Sequence, residues 1–248
     1  MNSMSPPPES SPRRTSPNRP LLVMFDIDGT LLLSKRAGAR AMIEAARLLH
    51  GREIVVDGLE FAGRLDSQIW TDIATMNGIR DFDLRRAEFR SAYASILREL
   101  LASAPMAYAL PGVIALINRL REEPGITLGL LTGNFAETGR LKISAAGLDP
   151  SHFPVSAWGD DGSDRRELPI VAMKRYREFT GAEIEPGRVV IVGDTPLDID
   201  CARSNGCVSL AVATGVTHSL EQLRSCGPDL ALPDLSRTDL ILEWLKKR

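Results

Sequence analysis

The chain has 248 residues, of which 44% are hydrophobic and 25% are charged, and its formal net charge is −2. These values are ordinary for a globular protein of one large or two modest domains, and so weak a charge gives no indication of a nucleic-acid partner. No apolar run reaches the roughly eighteen residues of a membrane span. The three cysteines form no Cys-x-x-Cys pair, which favours a reduced, cytoplasmic protein.

The first twenty residues differ in composition from the rest of the chain. Residues 1–20 consist largely of Ser, Pro and Arg, and such a segment buries too little apolar surface to offset the entropy of ordering. It also lacks the apolar stretch of a secretory signal. We predict that it is a disordered tail.

Short apolar runs recur along the remainder of the chain and are typical of strands buried in a parallel sheet. Segments with helical spacing separate these runs. The alternation predicts an α/β fold in which helices cover both faces of a parallel sheet. The predicted strands are residues 21–25, 126–131, 189–192, 208–212 and 230–232.

One interval lacks strand-like patterns. Between residues 37 and 104 we find amphipathic helical spacing and no convincing buried strand. Because the interval separates the first two strands, we predict an all-helical domain of residues 36–105 inserted into a core domain of residues 21–35 and 106–248. The helices predicted within it are residues 39–49, 68–76 and 84–101.

Polar groups follow three of the predicted strands. Asp26 and Asp28 follow the first, and Gly29 permits a sharp turn there. Ligands of open α/β sheets bind at such carboxyl ends, although an ordinary Asp-Gly turn is the structural alternative. The other groups are Thr132, Gly133 and Asn134 after the second strand, and Asp194 and Asp198 after the third.

The second and third groups each have a functional and a structural interpretation. A hydroxyl and free backbone N–H groups at a helix start suit an anion, whereas Thr132, Asn134 or Asp198 could simply cap a helix. If all three groups share one sheet edge, four carboxylates converge. Two such charges about 4 Å apart repel by roughly 4 kcal/mol at an effective dielectric of about 20. A cation is therefore expected, and oxygen ligands beside a phosphate favour Mg²⁺.

Together these groups resemble the motifs of the haloacid dehalogenase (HAD) superfamily, and within it the phosphatases with a helical C1 cap. The resemblance runs from about residue 21 to the C-terminus and is most specific at Asp-x-Asp-Gly-Thr, residues 26–30. It implies a Rossmann-like core with the inserted helices as the cap. It also implies that Asp26 is the nucleophile and a metal ligand, and that Asp28 is the general acid–base and binds the metal through its backbone carbonyl.

The same resemblance assigns the remaining motifs. Thr132 and Gly133 match the phosphate-binding turn, while Asp194 and Asp198 match the acidic metal-binding motif. Residues 163–169 resemble the variant in which an Arg replaces the usual phosphate-binding Lys. Arg165 is the residue by this alignment, and an Arg fork suits phosphate oxygens. The rivals are Arg166 and Lys174, and a solvated charge at a helix start is the structural alternative.

Residues 61–66 resemble a cap loop that reaches the active site in relatives. Arg64 and Asp66 are therefore candidate substrate contacts, although Leu65 stands where relatives commonly carry Thr. Capping of the following helix by Asp66 or Ser67 is the alternative.

The resemblance implies a Mg²⁺-dependent phosphohydrolase that acts on a small phosphorylated metabolite through a phosphoaspartate, as a monomer or homodimer without nucleic-acid or membrane partners. A sugar phosphomutase of the same superfamily is the enzymatic alternative. A dehalogenase is disfavoured because Asp28 supplies the acid that an ester's leaving oxygen needs. The non-enzymatic alternatives are a phospho-receiver domain, which is about half this length and lacks a cap, and a catalytically silent interaction protein.

Overall fold

The computed structural model describes residues 20–103 and 106–248, so the predicted tail lies outside the described residues except for Pro20. The strands are β1 (Leu21–Phe25), β2 (Leu32–Leu33), β3 (Tyr108–Ala109), β4 (Ile126–Leu131), β5 (Val155–Ala157), β6 (Val189–Gly193), β7 (Val208–Val212) and β8 (Leu230–Leu232). The helices are α1 (Ala37–His50), α2 (Asp66–Met76), α3 (Arg86–Ser103), α4 (Val113–Arg121), α5 (Ala136–Ala145), α6 (Leu168–Thr180), α7 (Pro196–Ser204), α8 (Leu220–Ser225) and α9 (Thr238–Lys246). No helix in the described part is long and apolar enough to cross a membrane.

Within the described residues, six strands form one parallel sheet in the order β5-β4-β1-β6-β7-β8. The predicted α/β fold is confirmed. β1 lies in the middle, with Met24 opposite Gly129 of β4 and Ile191 of β6. The apolar runs do not predict β5, because its sequence is Val-Ser-Ala and the central serine interrupts the apolar pattern.

Both faces of the sheet are buried, which explains why its strands read as continuous apolar runs. In β1 every residue is buried, and successive side chains alternate between two hydrophobic clusters. Leu21, Val23 and Phe25 join one cluster. Leu22 and Met24 join the other. The central strand is therefore held rigidly from both sides, and so is the loop that begins at its carboxyl end.

The inserted segment is helical, and no strand interrupts its described residues between β2 and β3. β2 and β3 pair antiparallel at the base of the insertion, with Leu32 opposite Ala109. The helices enclose their own apolar cluster, in which the rings of Trp70 and Phe89 stack 3.8 Å apart. This organisation is consistent with a separate cap, but the domain boundaries at 35/36 and 105/106 stay a prediction.

The inserted helices rest on α5, the helix that follows the carboxyl end of β4. Arg90 of α3 donates through Nε and Nη2 to both carboxylate oxygens of Glu137, each at 2.7 Å, and through Nη1 to Asp160 at 2.6 Å. Its guanidinium also lies 4.5 Å from the ring centroid of Phe135. A bidentate, partly buried pair of this kind fixes relative orientation, so the insertion covers the sheet edge at which the motifs lie.

Candidate active site

Three adjacent strands bring the predicted site residues to one edge of the sheet. Asp26 follows β1, Thr132 follows β4 and Asp194 follows β6. Each is at most 4% exposed. Parallel strands in register end at the same edge, so residues far apart in the sequence converge there.

A cluster of carboxylates lies at this edge. Asp26, Asp194 and Asp198 each place an oxygen within 4.8 Å of the others. Asp198 is also the N3 residue of a capping box at the start of α7, because its Oδ2 accepts from the N–H of the N-cap residue Thr195 at 3.1 Å and from the Thr195 hydroxyl at 2.7 Å. The two interpretations of Asp198 are therefore compatible, since the same carboxylate contributes to the cap and to the cluster.

The surroundings of Asp194 leave room only for glycine. A Cβ at Gly29, whose φ is +85°, would lie 2.4 Å from Asp194 Oδ2, and a Cβ at Gly215 would lie 1.8 Å from the same oxygen. The Thr30 hydroxyl donates to Asp194 Oδ1 at 3.3 Å. These contacts restrict the carboxylate to one orientation, which is a requirement for a metal ligand.

The electrostatics of the cluster favour a cation. Burial raises the pKa of Asp26 to about 6, against the opposing effect of Arg165. Burial, reinforced by the charges of Asp26 and Asp198, raises the pKa of Asp194 well above its usual range. Holding these carboxylates ionised is costly unless a positive charge stands beside them.

Of the three candidate cations, the structure places Arg165 beside the cluster. Its Nη2 donates to Asp198 Oδ1 at 2.5 Å and lies 3.2 Å from Asp26 Oδ1. Burial opposes its charge, but Asp198 and Asp26 outweigh that effect and raise the pKa of Arg165. Arg166 instead pairs with Asp200 at 2.6 Å on the surface, and Lys174 is exposed on α6.

Asp28 turns its side chain away from the cluster. Its Oδ2 accepts from Lys142 Nζ at 2.6 Å and from Asn134 Nδ2 at 2.9 Å. The carboxylate is therefore no member of the cluster, and only its backbone carbonyl could serve the predicted metal role. The sequence reasoning does not find Lys142. The sequence feature that could have indicated it is its position one helical turn after Thr138, on the buried side of α5.

The turn after β4 lets the inserted segment lie close to the predicted phosphate-binding residues. The Thr132 hydroxyl is fully buried and accepts from Asn134 Nδ2 at 2.8 Å. A Cβ at Gly133 would lie 1.9 Å from the backbone oxygen of Arg64 in the inserted segment. Glycine here lets the inserted loop lie directly over the predicted phosphate-binding turn.

Comparison with known proteins decides the family. The family model of haloacid dehalogenase-like hydrolases matches residues 23–203. The chain belongs to this family. The phosphoglycolate phosphatase of Rhodospirillum rubrum is 29% identical over 248 residues, covering 91% of each chain. That of Vibrio vulnificus strain CMCP6 is 26% identical over 231 residues, covering 89% of this chain and 96% of its own.

A solved structure extends the likeness to the fold. The β-phosphoglucomutase of Clostridium difficile is 15% identical and has a TM-score of 0.69, covering 92% of this chain and 98% of its own. The predicted superfamily and the prediction of a hydrolase are confirmed. The roles of individual residues in this HAD-like hydrolase stay predictions that its geometry supports to different degrees.

In this HAD-like hydrolase, Arg64 has partners within the inserted helices. Its Nη2 donates to Asp72 at 2.6 Å and its Nη1 donates to the backbone oxygen of Glu60 at 3.2 Å. The structure therefore directs the guanidinium along the insertion, so a substrate contact would require Arg64 to leave Asp72.

Asp66 connects the insertion to the core. Its Oδ2 accepts from the N–H of Phe135 at 3.0 Å and from the Thr138 hydroxyl at 3.4 Å. The side chain thus caps α5, whose own N-cap residue, Phe135, has no side-chain oxygen. Neither Asp66 nor Ser67 caps the following helix α2, since the Ser67 hydroxyl donates to Gly159 at 2.9 Å.

Replacing Asp66 with Asn is expected to stabilise the protein above pH 6 relative to wild type. Burial raises the pKa of Asp66 to about 6 from 3.8, although Lys142 opposes the rise. A folded-state pKa above the unfolded value means that the stability contributed by Asp66 is present below about pH 4 and is lost as pH rises through 6. A shift of two units corresponds to about 3 kcal/mol, and an uncharged amide avoids that loss.

Urea unfolding at pH 4.5 and pH 7.5 measures this difference. The advantage of Asp66→Asn over wild type should grow between the two values. The control is Asp66→Ala, which also removes the titrating carboxyl but leaves the Phe135 N–H without its acceptor. It should change with pH relative to wild type as Asp66→Asn does, and it should be about 1 kcal/mol less stable than Asp66→Asn at both values. An Asn variant whose stability relative to wild type does not change with pH would contradict the assignment.

Proposed function

We propose that this HAD-like hydrolase is a Mg²⁺-dependent phosphatase that acts on a small phosphorylated metabolite through a phosphoaspartate on Asp26. The observation that carries the proposal is the position of Asp26, buried at the sheet edge between Arg165 and the carboxylates of Asp194 and Asp198. The nucleophile, a fixed cation and a metal-binding donor set thus share one place, which is the arrangement that phosphoryl transfer requires.

The donor set suits Mg²⁺ more than a softer metal. Asp26, Asp194 and the backbone carbonyl of Asp28 would hold the ion, with Asp198 beside them, and all of these donors are oxygens. Three carboxylates face one guanidinium, so two negative charges remain for a divalent cation to balance. When bound, Mg²⁺ would neutralise charge on the phosphoryl oxygens.

The side chains of the site have distinct roles in the proposed reaction. Arg165, the Thr132 hydroxyl and the Gly133 N–H orient the phosphoryl oxygens. Asp26 attacks phosphorus in line as the ester P–O bond breaks, and Asp28 gives its proton to the leaving oxygen. Asp28 then takes a proton from water, which attacks phosphorus, releases inorganic phosphate and restores Asp26. Covalent catalysis replaces one difficult step by two easier ones, and prior positioning of charge lowers both barriers.

Phosphoglycolate is the first substrate to test. The supporting observation is that relatives named phosphoglycolate phosphatase match across about nine-tenths of both chains. The assay is inorganic phosphate release from phosphoglycolate and from a panel of sugar and nucleotide phosphates, with Mg²⁺ and with EDTA. We expect Mg²⁺-dependent release, with phosphoglycolate among the best substrates. Isomerisation of a hexose phosphate without phosphate release would instead identify a mutase.

A cytoplasmic location belongs to the same proposal. Cys201, Cys207 and Cys226 are all free thiols, and the first two are buried. Free thiols persist in reducing compartments.

A further inference from the structure

A buried lysine stands behind the proposed acid–base residue. Lys142 lies on α5 and is 4% exposed. Its Nζ donates to Asp28 Oδ2 and to Asn134 Oδ1, both at 2.6 Å. A buried lysine needs such partners to remain charged. The family motifs described above do not include it.

The ammonium group determines which way the Asn134 amide faces. An ammonium is only a donor, so the amide oxygen must point toward Lys142. The amide nitrogen then points the other way and donates to Asp28 Oδ2 at 2.9 Å and to Thr132 Oγ1 at 2.8 Å. Since the Thr132 oxygen accepts this bond, its own hydrogen is free to donate to a phosphoryl oxygen.

The same contacts set the orientation of the Asp28 carboxylate. Oδ2 receives both strong donors, whereas among the described residues Oδ1 accepts only from the Ser34 hydroxyl, at 3.4 Å. Oδ1 is therefore the oxygen that can exchange a proton with the leaving group and with water. Two donors on the same oxygen also restrain the carboxylate from rotating.

The inserted helix α1 closes over the ammonium group. A Cβ at Gly38 would lie 2.9 Å from Lys142 Nζ, so a larger residue there would displace the ammonium group. The Tyr93 hydroxyl lies 3.4 Å from that same Cβ position. The ammonium group is therefore shielded from water, although the Asp28 carboxylate that accepts from it stays partly exposed.

We propose that Lys142 is a positioning residue for phosphoryl transfer. Through Asn134 it orients the Thr132 hydroxyl toward the phosphoryl group, and directly it holds Asp28 with Oδ1 toward the leaving oxygen. The inference rests on the proposed function, because it assigns Lys142 a part in that reaction. A lysine that served only as a structural ion pair would have no preference among substrates.

Two phosphate esters with different leaving groups distinguish a positioning role of Lys142 from a purely structural one. The value of kcat/KM reports the first step, phosphoryl transfer to Asp26. In that step the alkyl oxygen that leaves phosphoglycolate needs a proton from Asp28, whereas 4-nitrophenolate leaves without one. For Lys142→Met we expect kcat/KM to fall roughly 10²- to 10³-fold with phosphoglycolate and only about 10-fold with 4-nitrophenyl phosphate, through Thr132. The matched control is Lys247→Met at an exposed lysine, which should change neither value. Equal losses for both esters, or no loss, would overturn the inference.

Lys142→Met is expected to fold, because the Asp28 side chain is 41% exposed and water can solvate its charge when Lys142 is absent. If it does not fold, Asn134→Ala tests the same connection, since it removes the amide bonds to both Thr132 and Asp28. It should lower kcat/KM for both esters, and more for phosphoglycolate, whereas no loss would overturn the inference. Where both fold, the double variant should lose less than the sum of the two single losses, as expected of groups that act as a unit.

A crystal structure of Lys142→Met tests the role of Lys142 even if the proposed substrate is wrong. Wild-type protein that releases phosphate from neither ester would count against the proposed function. The positioning inference would then be decided by coordinates, because it requires the Asp28 carboxylate and the Asn134 amide to rotate when the ammonium is removed. Unchanged orientations of both groups would overturn it.

Discussion

Replacing Asp26 with Asn is expected to lower phosphatase turnover by at least about 10⁴-fold. An amide oxygen is a poor nucleophile. Asp198, which also contacts Arg165, is held by the Thr195 N–H and hydroxyl and is not free to replace Asp26. Asp28 cannot substitute, because its side chain is turned toward Lys142. The first chemical step would therefore lose its attacking group.

The fold should survive this replacement. Burial raises the pKa of Asp26 to about 6, and Asp198 and Asp28 add to the rise, so removal of the charge relieves repulsion in the folded state. Thermal unfolding should show a melting temperature equal to or above that of wild type. Rapid acid quenching and mass spectrometry should find a phosphorylated peptide in wild type alone.

The matched control is Asp57→Asn, the same chemical change at an exposed position of the insertion. It should retain wild-type turnover and phosphoenzyme formation. Substantial turnover by Asp26→Asn, or a phosphorylated peptide in it, would refute the assignment of the nucleophile.

Asp194→Asn is expected to raise the Mg²⁺ concentration for half-maximal activity at least about 10-fold and to lower turnover by roughly 10²- to 10³-fold. An amide is a weaker ligand for a hard cation than a carboxylate. Gly29 and Gly215 enclose this side chain so closely that it cannot move to compensate. EDTA should abolish the activity of wild type, and added Mg²⁺ should restore it.

A Mg²⁺ titration of activity, together with isothermal calorimetry of Mg²⁺ binding, measures both effects. Asp200→Asn is the control, because Asp200 lies two residues beyond Asp198 on α7 but pairs with Arg166 at the surface. It should leave the titration unchanged. If Asp194→Asn has the same Mg²⁺ dependence as wild type, Asp194 is no metal ligand.

Much of the fold was predictable because a buried strand or helix has a recognisable apolar pattern in its own sequence. Strands β1, β4, β6, β7 and β8 coincide with apolar runs, since a strand covered on both faces is apolar at most of its positions. The helices of the insertion have local amphipathic spacing for a similar reason. β5 was missed because its sequence, Val-Ser-Ala, has a serine at its centre and forms no apolar run.

The core of the site was predictable because the residues follow strands. Once the strands that precede Asp26, Thr132 and Asp194 are placed in one parallel sheet, their carboxyl ends share an edge whatever the details of packing. The family resemblance then supplies roles, but it leaves open the choice among Arg165, Arg166 and Lys174. That choice depends on the direction of each side chain, in the turn before α6 for the two arginines and within α6 for Lys174.

Tertiary structure alone decided the polar contacts between distant elements. Lys142 meets Asp28 across 114 positions of the chain, and Asp66 caps α5 across 69. The sequence interpretations of Asp66 were a substrate contact or a cap of the next helix, and neither foresees the Phe135 N–H as its partner. Apolar patterning records which face of an element is buried, whereas the partner of a buried charge depends on how the inserted helices pack against the core.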